Sequence, residues 1–291
     1  MKLKRAKIAW FTVVVVMPIF ILAGCAPEAP PEPIRICPGK ATVQQALAEL
    51  ESFATKLKSF IAYGSGEVSF YEEGKDKPSN ERIPTVKIWF EPPNNVRFWG
   101  DVAFNSRGLH VGSKSDEFWF AAKPKEIGNV YIWGRWDEQT KGGNIILNPK
   151  ILRQAFGVID AAEAGRWSLS NEGRWDILTV RDKSGSLEKK IYVECCNYRI
   201  SRIEYYDTGE RLIAALELNN HEKVDDMVIP HGITIISPNE YGSVDTFDII
   251  LKSVKPSDNI KAAVFERPSA KGYGEVYRMV NGRAVQLSDE K

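Results

Sequence analysis

From Gly66 onward, apolar and β-branched residues recur at every second position, in short runs divided by turn residues. A period of two puts successive side chains on opposite faces of an extended strand, so each run reads as a strand with one face buried. Twelve such runs occur: 67–71, 85–90, 95–99, 109–111, 117–121, 129–133, 176–180, 189–194, 200–206, 214–219, 233–237 and 246–253. The connections are short and turn-rich, as in Pro92-Pro93-Asn94-Asn95, Asp182-Lys183-Ser184-Gly185 and Asp207-Thr208-Gly209. Short loops at near-regular spacing favour antiparallel hairpins in a meander. Ahead of the strands, Val43, Leu47, Leu50, Ala54, Leu57 and Ile61 recur at spacings of four and three. That stripe predicts a one-sided helix over 42–61, opened by a Thr42/Gln45 capping box and stopped by Gly64 and Gly66. A second helix is expected over 149–158, with Pro149 in its first turn and Gly157 near its end.

Residues 89 to 136 hold eleven aromatics, several adjacent within a strand, as in Trp89-Phe90, Phe98-Trp99 and Phe118-Trp119-Phe120. Adjacent strand residues face opposite ways, so both faces here carry bulky apolar groups and both need cover. One face could take the amino-terminal helix. The other must meet a second layer, a partner or an apolar ligand. A plain sandwich core is one solution. An apolar cavity is the other, with Trp89, Phe98, Trp119, Tyr131 and Trp133 as its candidate lining.

The amino terminus sets the cellular context. Met1 to Lys7 carry four positive charges and no acid, and a 16-residue apolar run follows from Ile8 to Ala23. That run is short of the roughly 20 residues that span a bilayer core, and with its basic start it reads as a secretory signal peptide rather than an uncleaved anchor. It ends in Leu22-Ala23-Gly24-Cys25, which resembles the bacterial lipobox. The resemblance implies cleavage before Cys25 and acylation of that cysteine, which anchors the chain to a membrane without a transmembrane helix. Ala26, rather than Asp, follows the cysteine and favours the outer over the inner membrane. Five prolines between Ala26 and Pro38 then read as an extended tether, reaching about 40 Å.

Losing residues 1 to 24, which hold four of the 39 Lys and Arg, leaves 35 basic against 38 acidic residues, a net charge of −3. That balance gives no electrostatic footprint for nucleic acid. Three cysteines remain after acylation: Cys37, Cys195 and Cys196. In an oxidising compartment at least one is unpaired within a monomer, and a bridge from Cys37 to Cys195 or Cys196 would tie the tether to the domain. The pair sits in a strand-like run, which predicts one buried and one outward-facing thiol.

Catalytic patterns are missing. His221-Glu222 lacks a second histidine four residues on, Ser65 and Ser243 are not in Gly-x-Ser-x-Gly, and Gly39-Lys40-Ala41 lacks the rest of a phosphate loop. The chain reads as a non-enzyme with no cofactor and no metal.

The order lipobox, long helix, Ser65-Gly66-Glu67-Val68-Ser69-Phe70, then Lys87-Ile88-Trp89-Phe90-Glu91-Pro92-Pro93-Asn94-Asn95-Val96-Arg97-Phe98 resembles the LolA/LolB superfamily. Phe118-Trp119-Phe120, Val130-Tyr131-Ile132-Trp133, residues 198–206 and 229–235, and the closing Val264-Phe265-Glu266-Arg267-Pro268 continue the likeness over 41–268. It implies an α+β, mainly antiparallel fold: an unclosed half β-barrel of about ten to twelve strands, with the two helices lidding a hydrophobic concave face. It further implies a monomeric envelope protein facing the periplasm that binds acyl chains or other lipoproteins. A protein-interaction or sensing module on the same fold is the alternative. The expected division is 1–24 signal peptide, 25–40 acylated cysteine and tether, 41–270 β-rich domain and 271–291 a partly flexible tail.

Overall fold

The computed structural model describes residues 37–71, 74–102, 105–123, 129–136, 149–159, 166–239, 242–281 and 283–287. The signal peptide, Cys25 and nearly all of the proline-rich tether lie outside these residues.

The first helix, α1 (Val43–Ala54), starts where the capping box predicts. Thr42 Oγ1 accepts from Gln45 N at 3.2 Å, and Gln45 Oε1 reaches back to accept from Ala41 N at 3.1 Å. The helix ends seven residues before Ile61. The amides of Lys56 and Leu57 donate to Phe53 and Ala54 carbonyls three residues back, tightening and closing the last turn. Leu57 then packs on the core from a loop, and Ile61 belongs to the first strand, so the apolar spacing ran on past the helix.

Fifteen strands follow among the described residues, more than the ten to twelve expected. They are β1 (Phe60–Phe70), β2 (Ser79–Glu91), β3 (Asn95–Val102), β4 (Asn105–Ser113), β5 (Glu117–Ala122), β6 (Val130–Arg135), β7 (Trp167–Glu172), β8 (Trp175–Arg181), β9 (Leu187–Glu194), β10 (Ile200–Tyr206), β11 (Leu212–Val224), β12 (Met227–Pro238), β13 (Val244–Pro256), β14 (Glu275–Val280) and β15 (Arg283–Gln286). The short helix α2 (Pro149–Ala155) interrupts them after β6. The three strands not expected, β7, β14 and β15, stand at the two ends of the sheet, where few residues are buried and the apolar alternation fades.

All fifteen form one unclosed sheet in the order β15-β14-β6-β5-β4-β3-β2-β1-β13-β12-β11-β10-β9-β8-β7. It is two meanders, β1–β6 and β7–β13, zipped together where β1 pairs with β13. Every pairing is antiparallel except β14 on β6. Gly64, expected to stop a helix, instead lies inside β1 at a shift in register against β13. A Cβ there would come within 2.0 Å of the Ile250 carbonyl, so the close approach of the two meanders requires glycine.

One face of the sheet carries both helices. Ala46, Leu47 and Leu50 of α1 and Ile151, Leu152 and Ala155 of α2 are buried in a single apolar cluster with Phe60, Phe90, Phe98, Leu216, Ile233 and Phe247 from the strands. Each fully buried side chain of Leu or Phe size contributes about 1.5–3 kcal/mol, so this cluster dominates the fold. Tyr205 of β10 points into it and donates its hydroxyl to Gln154 of α2, pinning that helix to the sheet.

The entry of the chain is clamped at the β7–β10 end. Cys37 and Cys196 form a disulfide, and Cys195 is free. Both Cys195 and Cys196 sit in the turn after β9, and neither is buried, unlike the strand placement expected for them. Asp176, wholly buried, accepts from Lys40 N at 2.8 Å and from Asn171 Nδ2 at 2.7 Å. A Cβ on Gly39 would come within 2.2 Å of side-chain atoms of both Asn171 and Asp176, so with those side chains in place the incoming segment fits only as glycine there.

Candidate functional site

The five aromatics expected to line one cavity lie on two faces. Phe98 is on the helix-bearing face, edge-on to Phe247 at 5.6 Å. Trp89, Trp119, Tyr131 and Trp133 are on the opposite face, as the alternation requires: Trp89 pairs across from Arg97, Trp119 from Trp133, and Ala121 from Tyr131. The carboxy-terminal segment, led by a 3-10 turn at Ala262–Phe265, closes over part of that face. Arg97 Nη1 donates to the carbonyls of Val264 (2.7 Å) and Glu266 (3.0 Å). Tyr131 donates its hydroxyl to Pro268 O at 2.6 Å, and burial pushes its pKa up to about 12. Arg267 lies 4.0 Å over the Trp133 ring while its Nε reaches Glu117 at 3.3 Å. The second layer demanded by the two-sided aromatic strands is thus supplied here by the chain itself.

A crevice opens on the helix-bearing face instead. Leu50, Phe53 and Leu57 form one wall and Ala155, Phe156 and Gly157, at the end of α2, a second. Ile200 of β10, Leu218 of β11, and Val228 and Pro230 of β12 make the floor. The empty space is about 560 Å³, part of it open to solvent. The long β11–β12 hairpin builds the far side, turning through Asp225 (φ 53°), and Asn220 within β11 takes a left-handed φ of 49° while the register against β12 stays unbroken. Leu218 and His221, on either side of Asn220, both line the crevice.

Four polar residues border this apolar space: Tyr198, Arg199, His221 and Asp226. Burial, helped by the nearby Arg199 charge, lowers the His221 pKa to about 4, so its imidazole is neutral near pH 7. Asp226 is three-quarters exposed and leans toward Lys58 Nζ, 3.9 Å away. Burial raises the Tyr198 phenol, with Asp176 adding to the effect. Among the described residues no group of three or more His, Cys, Asp or Glu is placed to hold a metal, and no helix is long and apolar enough to cross a membrane. The arrangement can enclose an apolar body and present a few polar atoms to its end.

No protein-family model and no curated protein matches the sequence. Solved structures do resemble the fold. A putative outer membrane lipoprotein-sorting protein domain from Vibrio parahaemolyticus matches with a TM-score of 0.52 at 13% identity, over 77% of this chain and 95% of that one. The chain has a LolA-like fold. A DUF1329 family protein from Desulfovibrio piger matches comparably, with a TM-score of 0.51, 15% identity, and 77% and 95% coverage. The unclosed antiparallel sheet with helices over one face, expected from the resemblance, is therefore present in this LolA-like domain, with more strands than anticipated.

Sequence reasoning missed the crevice. Leu50 and Leu57 were visible as members of the helical stripe, and His221 only as a failed zinc motif. Nothing in the spacing marks the long β11–β12 pairing that sets His221 across from Pro230.

Proposed function

We propose that this chain is an envelope lipoprotein that binds acyl chains in the crevice between its helices and its sheet. The observation that carries the reading is the apolar crevice itself, bordered by Leu50, Phe53, Phe156 and Leu218, on a LolA-like fold. The Vibrio protein's description as a lipoprotein-sorting domain supports a role in envelope lipoprotein trafficking. Acylation of Cys25 and an outer-membrane location complete the proposal, on the strength of Leu22-Ala23-Gly24-Cys25-Ala26. The Cys37–Cys196 disulfide suits an oxidising, extracytoplasmic compartment. On this reading the protein is a monomeric binder without catalytic activity.

Native mass spectrometry of the full-length protein released from a mild detergent tests it. Adducts with the mass of an acyl lipid or acylated peptide, displaced by excess fatty acid, are expected; a clean protein mass under every release condition sinks it. One observation favours the alternative of a protein-interaction module. Phe60, Phe90 and Phe156 already fill much of the helix-bearing face, which leaves a limited void. Crosslinking in intact cells that traps one protein partner, and no lipid, would favour that alternative.

A further inference from the structure

Among the described residues, the crevice holds a cation whose guanidinium has no acidic partner. Arg199 lies half-buried between the turn after β9 and the start of β10. Its backbone is committed, with its amide donating to Asn197 Oδ1 at 3.1 Å and its carbonyl accepting from Glu194 N at 2.9 Å. Its guanidinium is not: among the described residues it makes neither an ion pair nor a hydrogen bond. Neighbouring arginines are all engaged, Arg174 with Glu194, Arg181 with Glu210, and Arg202 with Glu204 and Glu217. The acid most available to Arg199 by sequence, Glu194, is thus taken by Arg174 and by Asn197.

A half-buried guanidinium beside Leu218 and Phe156 loses hydration without gaining a counter-charge, and an anion brought with an apolar body would restore it. The planar fork of arginine matches a carboxylate with two parallel hydrogen bonds, so one such group suffices. A phosphate would call for more donors, and among the described lining residues Arg199 is the one cation: His221 is neutral, and Asp226 at the rim is acidic and faces Lys58. We propose that the crevice takes a long-chain carboxylate, with Arg199 holding the head and Leu50, Phe53 and Phe156 enclosing the tail. This rests on the acyl-binding reading above and sharpens it to a ligand class.

The test uses full-length protein in the membranes of the producing cells, exposed to a long-chain fatty acid bearing a photoreactive diazirine, or to the matching neutral alcohol. Labelled peptides containing residues 50–57, 155–157 or 198–200 report the crevice. The acid should label them about tenfold more than the alcohol, the effect of one charge-assisted hydrogen-bonded head. Arg199→Met should bring acid labelling down to the alcohol level while alcohol labelling persists, which shows the fold is intact. Arg199→Lys should keep part of the preference. Equal labelling by acid and alcohol in the wild type overturns the carboxylate inference and leaves acyl binding standing. Stronger competition by unlabelled lysophosphatidic acid than by unlabelled fatty acid also overturns it, in favour of a phosphate head. No labelling of these peptides by either probe overturns the acyl-binding reading and this inference with it.

Discussion

Phe156 ties the stability of the domain to the size of its crevice. Its ring is 2% exposed, with its centroid 5.0 Å from Phe60 and 5.2 Å from Phe90, two rings that are themselves fully buried. Truncation to alanine removes the apolar area of the ring, about 2–3 kcal/mol. It also removes two aromatic contacts, each about 0.5–1.5 kcal/mol beyond that area. These terms overlap, and measured Phe→Ala losses in packed cores run about 3–5 kcal/mol, so Phe156→Ala should cost about 3–5 kcal/mol. Urea unfolding followed by tryptophan fluorescence would show a lower midpoint at an unchanged slope. Phe156→Leu keeps most of the volume and should cost less than about 1.5 kcal/mol. Because Phe156 also walls the crevice, the alanine variant should accept a bulkier apolar probe than the wild type. A loss under about 1 kcal/mol for Phe156→Ala, within the range of an unremarkable substitution, would refute the packing argument. So would equal losses for alanine and leucine.

Other expectations are as direct. The Cys37–Cys196 bridge has a sequence separation of 159 residues, so loop-closure entropy sets an upper limit of about 5 kcal/mol on what Cys37→Ser would cost in an oxidised urea melt; no change would mean that the hydrogen bonds to Asp176 alone hold the entry segment. Arg97→Met removes the donor to Val264 and Glu266, and limited proteolysis should then cut faster between residues 261 and 271; an unchanged cleavage pattern would mean that Tyr131 and Arg267 suffice. His221 has a folded pKa near 4 against 6.5 unfolded, so the unfolded chain binds a proton that the folded one excludes. The stability it contributes is complete above about pH 6.5 and is lost as pH falls toward 4. The wild type should therefore lose more stability than His221→Gln between pH 7 and pH 5, and identical losses would count against a buried imidazole.

Local periodicity carried far in this chain. The capping box at Thr42 and Gln45, the start of α2 at Pro149 and twelve strand runs were legible because each depends on neighbours within a few residues. Strands β7, β14 and β15, at the two ends of the sheet, were not, since few of their residues are buried and little apolar alternation marks them. The span of α1 was overread because Leu57 and Ile61 keep helical spacing while pairing and packing decide their conformation.

The candidate site divides in the same way. The sequence alone determined that strands from Trp89 to Trp133 need cover on both faces, since adjacent aromatics must point in opposite directions. What covers each face was a tertiary matter. Arg97 and Tyr131 find their partners more than 130 residues away, in the closing stretch from Val264 to Pro268. The crevice joins residue 50 to residue 230, and among the described residues its Arg199 has no ion-pair partner while Arg174, from the β7–β8 turn, takes Glu194. Such features are differences between competing long-range contacts, and no local pattern encodes which competitor wins.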